Sequence, residues 1–317
     1  MTNLAAEALA RWVASDASLS FVSGRENLVY RVATRDGDFA LRIRRSGLRS
    51  RAELVSELAW LDAMDRAGLS VPRPVPSLSG SLLETVGGRE ADMTVWLKGS
   101  PLGRSGEPLR LGDAPQEFFR LGREIALLHD ACDEFRPPEG FVRRRWDLDG
   151  LLGEEPLWGR FWENPTLDKE TRGLLERFRR EASRQLELRA GDLDHGLIHA
   201  DLVRENVLLD DGHDRLRLLD FDDGGFGFRP FDIAGALLKN RKEPGYPELE
   251  SSLVEGYRTA RRLDVSLLGL FMALRAVTYV GWIVPRMSED GSRERNARFI
   301  DDACDLCAAY FGEPRPA

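Results

Sequence analysis

Cysteines and long apolar runs are scarce in this sequence, and basic residues are fewer than acidic ones. Three cysteines in 317 residues cannot build the disulfide framework of a small secreted protein. The 45 Lys and Arg residues are outnumbered by 53 Asp and Glu, and the net charge of -8 disfavours nucleic acid as a partner. No apolar stretch reaches the length of a membrane span, and the N-terminus lacks the basic start of a signal peptide. We therefore expect a cytoplasmic protein that binds neither nucleic acid nor a membrane.

Two pairs of possible zinc ligands remain among the few cysteines and histidines. Cys304 and Cys307 form a CxxC motif, and His129 and Cys132 repeat its spacing. Each pair lies in a predicted helix, where a spacing of three also places both side chains on one buried face. Core packing is therefore the preferred interpretation, with a zinc site as the alternative.

The first 98 residues combine short strand patterns with one well-marked helix. Asp36 and Gly37 form a strong hairpin signal between two of the strands. The helix begins with a capping box at Ser50 and Glu53 and ends at Gly68. Strands are predicted at 19–24, 27–34, 38–45, 82–86 and 91–97.

A segment rich in glycine and proline, 98–115, separates this region from a mainly helical one. Helices are predicted at 4–14, 50–68, 115–131, 166–189, 230–240, 247–261, 265–284 and 293–311. The pattern predicts an α+β protein with a small mixed N-terminal lobe that contains a β-sheet, 1–98, and a larger mainly helical C-terminal lobe, 99–317.

The segment 196–227 is rich in carboxylates, although its flanks are as apolar as buried strands. Its strands "NVLLD" and "RLRLLDF" are joined by a turn rich in Asp and Gly, so Asn206 and Asp220 should face the same edge of a hairpin. With Asp201 nearby in sequence, the amide and carboxylate oxygens suit Mg²⁺ that also carries phosphate. A polar hairpin with solvated ends is the alternative, but it leaves the spacing unexplained.

These residues resemble the catalytic core of the protein-kinase-like superfamily, with HxDxxxxN at His199, Asp201 and Asn206 and the DFG-type aspartate at Asp220. The match is closer to the aminoglycoside phosphotransferase (APH) family. It is carried by "HADLVRENVLLDD" and "LLDFDDGGFGFRPFDIA", and more weakly by "SGRENLVYRV", "SELAWLDAM", "MTVWLKG" and "LRAVTYVGWIVPRM". The resemblance implies a bilobal protein-kinase-like fold and an enzyme that transfers the γ-phosphate of ATP or GTP, with Mg²⁺, to the hydroxyl of a small molecule.

The resemblance also implies roles for the residues of this segment. Asp201 would accept a hydrogen bond, and finally a proton, from the acceptor hydroxyl, while Asn206 and Asp220 would hold Mg²⁺ on the nucleotide phosphates. Asp232 would tie together backbone groups of the catalytic loop, and His199 would pack against that loop.

A second catalytic hypothesis concerns Arg204. Val203 occupies the position where protein kinases carry a lysine, and Arg204 follows it directly. We hypothesise that Arg204 stabilises charge on the transferred phosphate. A solvated arginine is the alternative.

The strand "FALR", 39–42, departs from the kinase pattern because Arg42 stands where a lysine is expected. Strand alternation places Ala40 and Arg42 on one face, so Ala40 would cover the nucleotide base while Arg42 reaches the phosphates. Glu57 is the expected partner of Arg42. Arginine can supply the charge, but its planar fork needs a different geometry, so a nucleotide-binding pseudokinase with weak catalysis is one alternative.

Four other residues complete the expected nucleotide site. Gly24 and Asn27 belong to a loop with few glycines, where backbone amides and the Asn27 amide would bind phosphate. Met93 and Val95 match the hinge of the resembled family and would contact the nucleotide.

The acceptor is expected to be a small hydroxyl compound such as an amino alcohol, amino acid, sugar or antibiotic. Only eleven residues separate Asp220 from Asp232, which is too short for the peptide-docking segment of protein kinases. A protein Ser/Thr kinase nevertheless remains an alternative, and the oligomeric state and the choice between ATP and GTP stay open. Asp222 and Asp223 could attract a cationic amine, or serve as a second metal contact or turn caps.

Overall fold

The structure, a computed structural model, describes residues 2–13, 16–24, 26–210 and 215–315. The chain divides into two compact units, each built from three segments. Unit 1 consists of Met1–Pro101, Glu134–Arg143 and Val207–Asp222, and unit 2 consists of Leu102–Asp133, Arg144–Asn206 and Asp223–Ala317. The lobe boundary expected near residue 98 stays a prediction.

Unit 1 contains an antiparallel sheet of five strands in the order β1-β2-β3-β5-β4. Its strands are β1 (Ser18–Ser23), β2 (Leu28–Thr34), β3 (Gly37–Ile43), β4 (Glu84–Val86) and β5 (Arg89–Val95). The predicted hairpin is confirmed, since Thr34 pairs with Gly37 at the turn between β2 and β3. Gly37 has φ +135, a backbone conformation that side chains with a Cβ rarely adopt.

Two helices accompany this sheet, α1 (Thr2–Leu9) and α2 (Arg51–Arg66). The predicted capping box of α2 is confirmed. The Glu53 N–H donates to Ser50 Oγ at 3.2 Å, and the Ser50 N–H donates to the Glu53 carboxylate at 2.8 Å. The apolar core of unit 1 is formed by Ala5, Ala8, Trp12, Tyr30, Val32, Leu41, Ile43, Val86, Ala91 and Met93.

A second, small sheet in unit 1 contains the hairpin expected from the carboxylate-rich segment. Its strands are β6 (Ser100–Pro101), β9 (Val207–Leu209) and β10 (Arg217–Leu218), in the order β10-β9-β6. Val207 pairs with Leu218, which confirms the predicted pairing. The turn rich in Asp and Gly that was expected between these strands falls at 211–214, outside the described residues.

Unit 2 contains a three-stranded sheet that the sequence patterns did not predict. Its strands are β7 (Arg144–Trp146), β8 (His195–Ile198) and β11 (Gly225–Phe228), with β11 in the centre. The neighbouring strands approach β11 closely at its glycines. A Cβ at Gly225 would lie 2.2 Å from the carbonyl oxygen of Arg144, and one at Gly227 would lie 2.6 Å from Ile198 Cδ1. Larger residues would therefore force the strands apart.

Helices make up most of unit 2, and the predicted ones in this region are all present. The helices of unit 2 are α3 (Ala114–Glu134), α4 (Leu148–Leu152), α5 (Lys169–Leu188), α6 (Arg229–Leu238), α7 (Tyr246–Arg258), α8 (Leu268–Trp282) and α9 (Ser292–Phe311). The short α4 was not predicted. Helix α8 is buried on every side, from Leu270 to Gly281. In the described part of the chain, no helix is both long and apolar enough to cross a membrane.

The possible zinc ligands pack into the interior as the preferred interpretation expected. Cys304 and Cys307 are buried on α9, and Cys132 is buried on α3. His129 bonds to Tyr257. These contacts support core packing for both pairs.

Candidate active site

The loop after β8 is held in a strained conformation just before Asp201. Ala200 has φ +64, which costs a non-glycine residue about 1–3 kcal/mol and requires support from its surroundings. The support comes from Asp232 on α6, whose carboxylate accepts the N–H of His199 at 2.8 Å and the N–H of Ala200 at 2.7 Å. This confirms that Asp232 ties together the backbone of the loop.

Asp232 is itself fixed by a buried histidine. His129 Nε2 lies 3.1 Å from Asp232 Oδ2, and His129 Nδ1 lies 2.8 Å from the Tyr257 hydroxyl. Because a carboxylate can only accept, Nε2 carries the proton and Nδ1 accepts from Tyr257. Burial lowers the pKa of His129, so the ring is neutral. Burial also tends to raise the pKa of Asp232, but the His129 bond and the His199 N–H outweigh it and hold the pKa below its ordinary value.

Both carboxylate oxygens of Asp201 are held by donors. Arg275 Nη2 lies 2.6 Å from Asp201 Oδ1, and Asn206 Nδ2 lies 3.1 Å from Oδ2 and 2.9 Å from the Asp201 carbonyl oxygen. Burial raises the pKa of Asp201, which the charge of Arg275 opposes and that of Asp223 reinforces. The side chain remains 23% exposed. Asp201 is thus an oriented carboxylate with lone pairs left to accept from a hydroxyl.

Arg275 lies within an aromatic enclosure in the middle of α8. Its guanidinium carbon is 4.6 Å from the ring centroids of Trp158 and Tyr279 and 5.3 Å from that of Phe231. Nη2 also donates to the Tyr279 hydroxyl at 2.8 Å. Arginine is almost never fully buried unless it is paired. Arg275 was not predicted as a site residue, although a lone arginine inside the apolar stretch "LFMALRAVTYV" is a signal of such a pair.

The chemistry of Asn206 fits one side of a cation site. Its amide nitrogen donates hydrogen bonds to Asp201, while its amide oxygen accepts no hydrogen bond from another described residue. Among the described residues, no group of three or more His, Cys, Asp or Glu could hold a metal ion. Mg²⁺ is commonly held by few protein oxygens together with the phosphate oxygens of a substrate, and the Asn206 amide oxygen is a ligand of the type that such a site uses. Asp220 belongs to unit 1, and its joint role with Asn206 stays a prediction.

The segment that carries Asp220 is anchored within unit 1. Asp220 has φ +61, a second strained non-glycine residue. The next residue, Phe221, packs edge-on against Trp60 with ring centroids 5.0 Å apart. Arg143 donates to the carbonyl oxygens of Phe221 and Asp222 at 2.6 and 3.0 Å. These contacts support the strained position of Asp220.

Five charged residues of unit 1 form a cluster that includes Arg42, at the position where kinases place a lysine. The expected pair is present, with Arg42 Nη1 3.1 Å from Glu57 Oε1. Arg42 Nε also donates to Asp92 Oδ1 at 2.7 Å. Arg44 donates to Glu57, Asp92 and Asp222 at 2.8, 2.6 and 2.7 Å. Arg44 and Asp92 were not predicted from the sequence, although Arg44 directly follows β3 and continues the strand face of Arg42, which pairs in register with Asp92.

Asp222 joins this cluster to the loop after β1. Asn27 Nδ2 donates to Asp222 Oδ2 at 2.7 Å, and Asn27 Oδ1 accepts the N–H of Arg45 at 3.2 Å. Burial tends to raise the pKa of Asp222, but Arg44 and Arg42 hold it well below its ordinary range. The carboxylate is therefore charged and compensated within unit 1, which favours a structural role over attraction of an amine.

A family model described as the phosphotransferase enzyme family, APH, matches residues 19–265. The chain belongs to this family. The predicted phosphotransferase of the kinase type, the protein-kinase-like α+β fold and the resemblance to aminoglycoside phosphotransferases are thereby confirmed.

Relatives of this phosphotransferase are kinases that bear different substrate names. The chain is 27% identical to the amicoumacin kinase of Bacillus subtilis over 87% of this chain and 82% of that protein. It is 30% identical to the homoserine kinase of Sinorhizobium fredii over 78% of this chain and 72% of that protein. It also resembles the solved structure of a microcompartment-associated aminopropanol kinase, with 31% identity and a TM-score of 0.81 over 97% of this chain and 96% of the other.

Arg204 of this phosphotransferase is buried among structural partners. It donates to Asn240 Oδ1 at 2.8 Å, to the carbonyl oxygens of Glu107 and Lys239 at 2.7 and 3.0 Å, and to the Glu243 carboxylate. The alternative of a solvated arginine is therefore wrong. The geometry favours a structural brace, and a contact with transferred phosphate stays a prediction.

The remaining expected nucleotide residues of the phosphotransferase lie along the main sheet of unit 1. Ala40 pairs with Thr94 and shares a strand face with Arg42, as alternation predicted. Met93 is buried in the core, and the Val95 N–H donates to the Arg73 carbonyl oxygen at 2.8 Å.

Gly24 lies where the chain leaves β1, with Phe21 and Leu28 close to the site of a Cβ. The contacts of Gly24, Ala40, Met93 and Val95 with a nucleotide stay predictions.

Proposed function

We propose that this phosphotransferase moves the γ-phosphate of ATP or GTP to a hydroxyl group of a small molecule in a reaction that needs Mg²⁺. The observation that carries the proposal is the geometry of Asp201. It is a part-exposed carboxylate that Arg275 and Asn206 hold at both oxygens, on a loop that Asp232 keeps in a strained conformation. A fixed carboxylate of this kind suits acceptance of a hydroxyl proton at the moment of phosphate transfer.

In the proposed step, the acceptor hydroxyl oxygen forms a bond to the γ-phosphorus. The bond from that phosphorus to the bridging oxygen breaks, and a nucleoside diphosphate leaves. Asp201 accepts the hydroxyl proton. Mg²⁺, when bound, neutralises charge on the phosphates and aligns them. Asn206 contributes through its amide oxygen, while its amide nitrogen holds Asp201 in place.

A small acceptor is supported by the short chain between Asp220 and Asp232. Within these residues β11 runs directly into α6, which begins at Arg229. No long loop is left there on which a peptide could dock. The names of the relatives, an amicoumacin kinase, a homoserine kinase and an aminopropanol kinase, also indicate small acceptors. We therefore prefer a small molecule over a protein as the acceptor.

A nucleotide-binding protein with weak transfer is the second candidate. It is favoured by Arg42, whose guanidinium is engaged by both Glu57 and Asp92. An arginine whose planar fork is fixed by two carboxylates cannot turn its remaining donors towards phosphate as freely as a lysine ammonium can. Tight nucleotide binding without turnover on any acceptor would select this candidate.

The deciding experiment measures ADP or GDP release with Mg²⁺ over a panel of small hydroxyl compounds, including homoserine, 1-aminopropan-2-ol, sugars and aminoglycosides. We expect release that depends on one class of acceptor in the wild type and a loss of about 10²–10⁴-fold in Asp201→Asn. Asp192→Asn, at an exposed residue of unit 2, is the matched control and should behave as wild type. Equal release by wild type and Asp201→Asn on every compound would refute the proposal.

A further inference from the structure

A lysine in unit 2 lies over two aromatic rings near Asp201. Lys239 follows the last residue of α6, and its Nζ is 3.8 Å from the ring centroid of Tyr279 and 4.6 Å from that of Phe299. The two rings stack with their centroids 5.0 Å apart. Lys239 as a whole residue is half-buried. Nothing in the proposed transfer step uses this cation.

The ammonium of Lys239 has no anionic partner among the described residues. Its contacts are the two rings, and no carboxylate lies within ion-pair distance. Burial lowers its pKa to about 8, and the positive charge of Arg275 contributes to the shift. A cation that is partly desolvated beside a second cation is unfavourable unless an anion compensates it.

The carboxylates that lie near enough to act on Lys239 electrostatically are Asp201, Glu205 and Asp302. Each has donors of its own. Asp201 is held by Arg275, and Glu205 accepts from the hydroxyl of Ser105 at 3.1 Å.

Asp302 pairs with both Arg241 and Lys242, at 2.9 and 2.8 Å. The three carboxylates therefore attract Lys239 at longer range, but none of them forms an ion pair with it.

Tyr279 links this unmatched cation to the catalytic carboxylate. Its ring carries Lys239 on its face, and its hydroxyl accepts from Arg275 Nη2 at 2.8 Å. The same nitrogen of Arg275 is 2.6 Å from Asp201 Oδ1. The side chains of Tyr279 and Arg275 thus connect the Lys239 ammonium to Asp201 through direct contacts.

We propose that Lys239 anchors the acceptor and selects hydroxyl compounds that carry a carboxylate, namely hydroxy acids and hydroxy amino acids. The inference rests on the proposed phosphate transfer to a small hydroxyl compound and names its class. The acceptor carboxylate binds the Lys239 ammonium beside Tyr279, while the hydroxyl at the other end points to Asp201.

The same geometry disfavours acceptors that are simple cationic amines. A cation-binding aromatic site needs open ring faces. Here Tyr279 is already contacted by both Lys239 and Arg275, and the ring of Trp282 has Arg286 at 4.1 Å. The chain's own cations thus occupy the positions that an alkylammonium group would take.

The kinetic test compares three acceptors of equal length and different charge, 4-hydroxybutanoate, butane-1,4-diol and 4-aminobutan-1-ol. We expect the wild type to prefer the carboxylate over the amine in kcat/KM by about tenfold or more. Lys239→Met should lower this ratio by about tenfold, whereas Lys239→Arg should retain most of it. Lys169→Met, at an exposed residue of α5, is the control and should keep the wild-type ratio. A wild-type preference for the amine, or an unchanged ratio in Lys239→Met, would overturn the inference.

A binding measurement keeps the inference testable if none of the three compounds is phosphorylated. The chain has four lysines, Lys98, Lys169, Lys239 and Lys242, so their side-chain signals can be resolved after selective ¹³Cε and ¹⁵Nζ labelling. The Lys239 signal is assigned by its loss in Lys239→Met. We expect 4-hydroxybutanoate to shift it and 4-aminobutan-1-ol to leave it in place.

The two arms separate failure of the inference from failure of the proposed function. A Lys239 signal that does not respond to 4-hydroxybutanoate overturns the anchoring role, whatever the turnover. A response at Lys239 together with no transfer to any acceptor supports the anion site and counts against phosphate transfer. Transfer that favours amines supports the proposed function and refutes the selection of carboxylates.

Discussion

Arg275 and Asp201 form an ion pair of 2.6 Å between residues 74 positions apart in sequence. The arginine comes from the buried helix α8 of unit 2, and the carboxylate comes from a loop that is strained at the preceding residue. A guanidinium enclosed by three rings has little freedom to move, so it fixes one oxygen of Asp201 in space. The pair makes the rigid helix, and not the loop alone, responsible for the position of the carboxylate.

Replacing Arg275 should therefore impair transfer through Asp201. We expect Arg275→Met to lower kcat by about 10²-fold, because a misplaced catalytic group costs a factor of this size. Arg275→Lys should recover part of the loss, since it retains a charge. The affinity for nucleotide, measured by titration calorimetry, should change much less than kcat. An unaltered kcat in Arg275→Met would show that the pair is not needed to orient Asp201.

The Asp92 carboxylate, which two arginines of unit 1 share, should contribute strongly to the stability of the fold. Asp92 is fully buried and pairs with both Arg42 and Arg44. Asp92→Asn leaves these guanidinium groups undercompensated, and we expect the free energy of unfolding to fall by about 3 kcal/mol in urea denaturation. Asp38→Asn, which breaks the more exposed pair with Arg31, is the control and should cost less than about 1 kcal/mol. Equal losses in the two variants would contradict this account.

Stability should fall as the pH is lowered through the range in which free histidine takes up a proton. The folded-state pKa of His129 lies below the ordinary value of 6.5, so the unfolded chain binds the proton more readily. The stabilisation is complete above about pH 6.5 and is lost progressively below it, down to the folded-state pKa. Urea denaturation between about pH 7.5 and about pH 5 should show the fall.

His129→Gln should show a weaker dependence on pH, because it removes this proton uptake. Some dependence should remain, since the pKa of His195 is also lowered by burial. A pH profile identical to that of the wild type would exclude His129 as a contributor.

Arg204 should matter for stability because of its buried donors. Arg204→Ala removes the ion-pair partner of Glu243, which among the described residues keeps only the Leu109 N–H, and it removes the donor to two carbonyl oxygens. We expect a loss of about 3 kcal/mol in the free energy of unfolding. Arg180→Ala, at a residue exposed on α5, is the matched control. A fall in kcat without a loss of stability in Arg204→Ala would instead support the contact with phosphate.

Phosphate transfer should require a divalent cation. Turnover should cease in a chelator and return with added Mg²⁺, because the proposed ligands Asn206 and Asp220 are hard oxygen donors. Asp220→Asn should raise the Mg²⁺ concentration needed for half-maximal rate, whereas Asp210→Asn, at the residue after β9, should not. Turnover that persists in the chelator would rule out these ligands.

Local chemistry in the sequence was sufficient for much of the fold. The Asp36-Gly37 turn, the Ser50 capping box and the pairing around Val207 were each predicted correctly, because they depend on residues close together in the chain. The spacing of Asp201 and Asn206 also indicated a shared site, and the Asn206 amide nitrogen lies 3.1 Å from Asp201 Oδ2. The sheet of β7, β8 and β11 was missed because its strands of three or four residues are too short to show a period.

The partners of the charged groups were decided by the tertiary structure. Strand alternation placed Ala40 and Arg42 on one face. Asp92, however, lies on the adjacent strand β5, which only folding brings next to Arg42. Arg275 meets Asp201 in the same way, through the packing of α8 against the loop. The sequence therefore determined that the chain carries the motif of a phosphotransferase, since that motif is local. Burial and distant pairing decided which cations form ion pairs, and among the described residues they left Lys239 with aromatic contacts and no ion-pair partner.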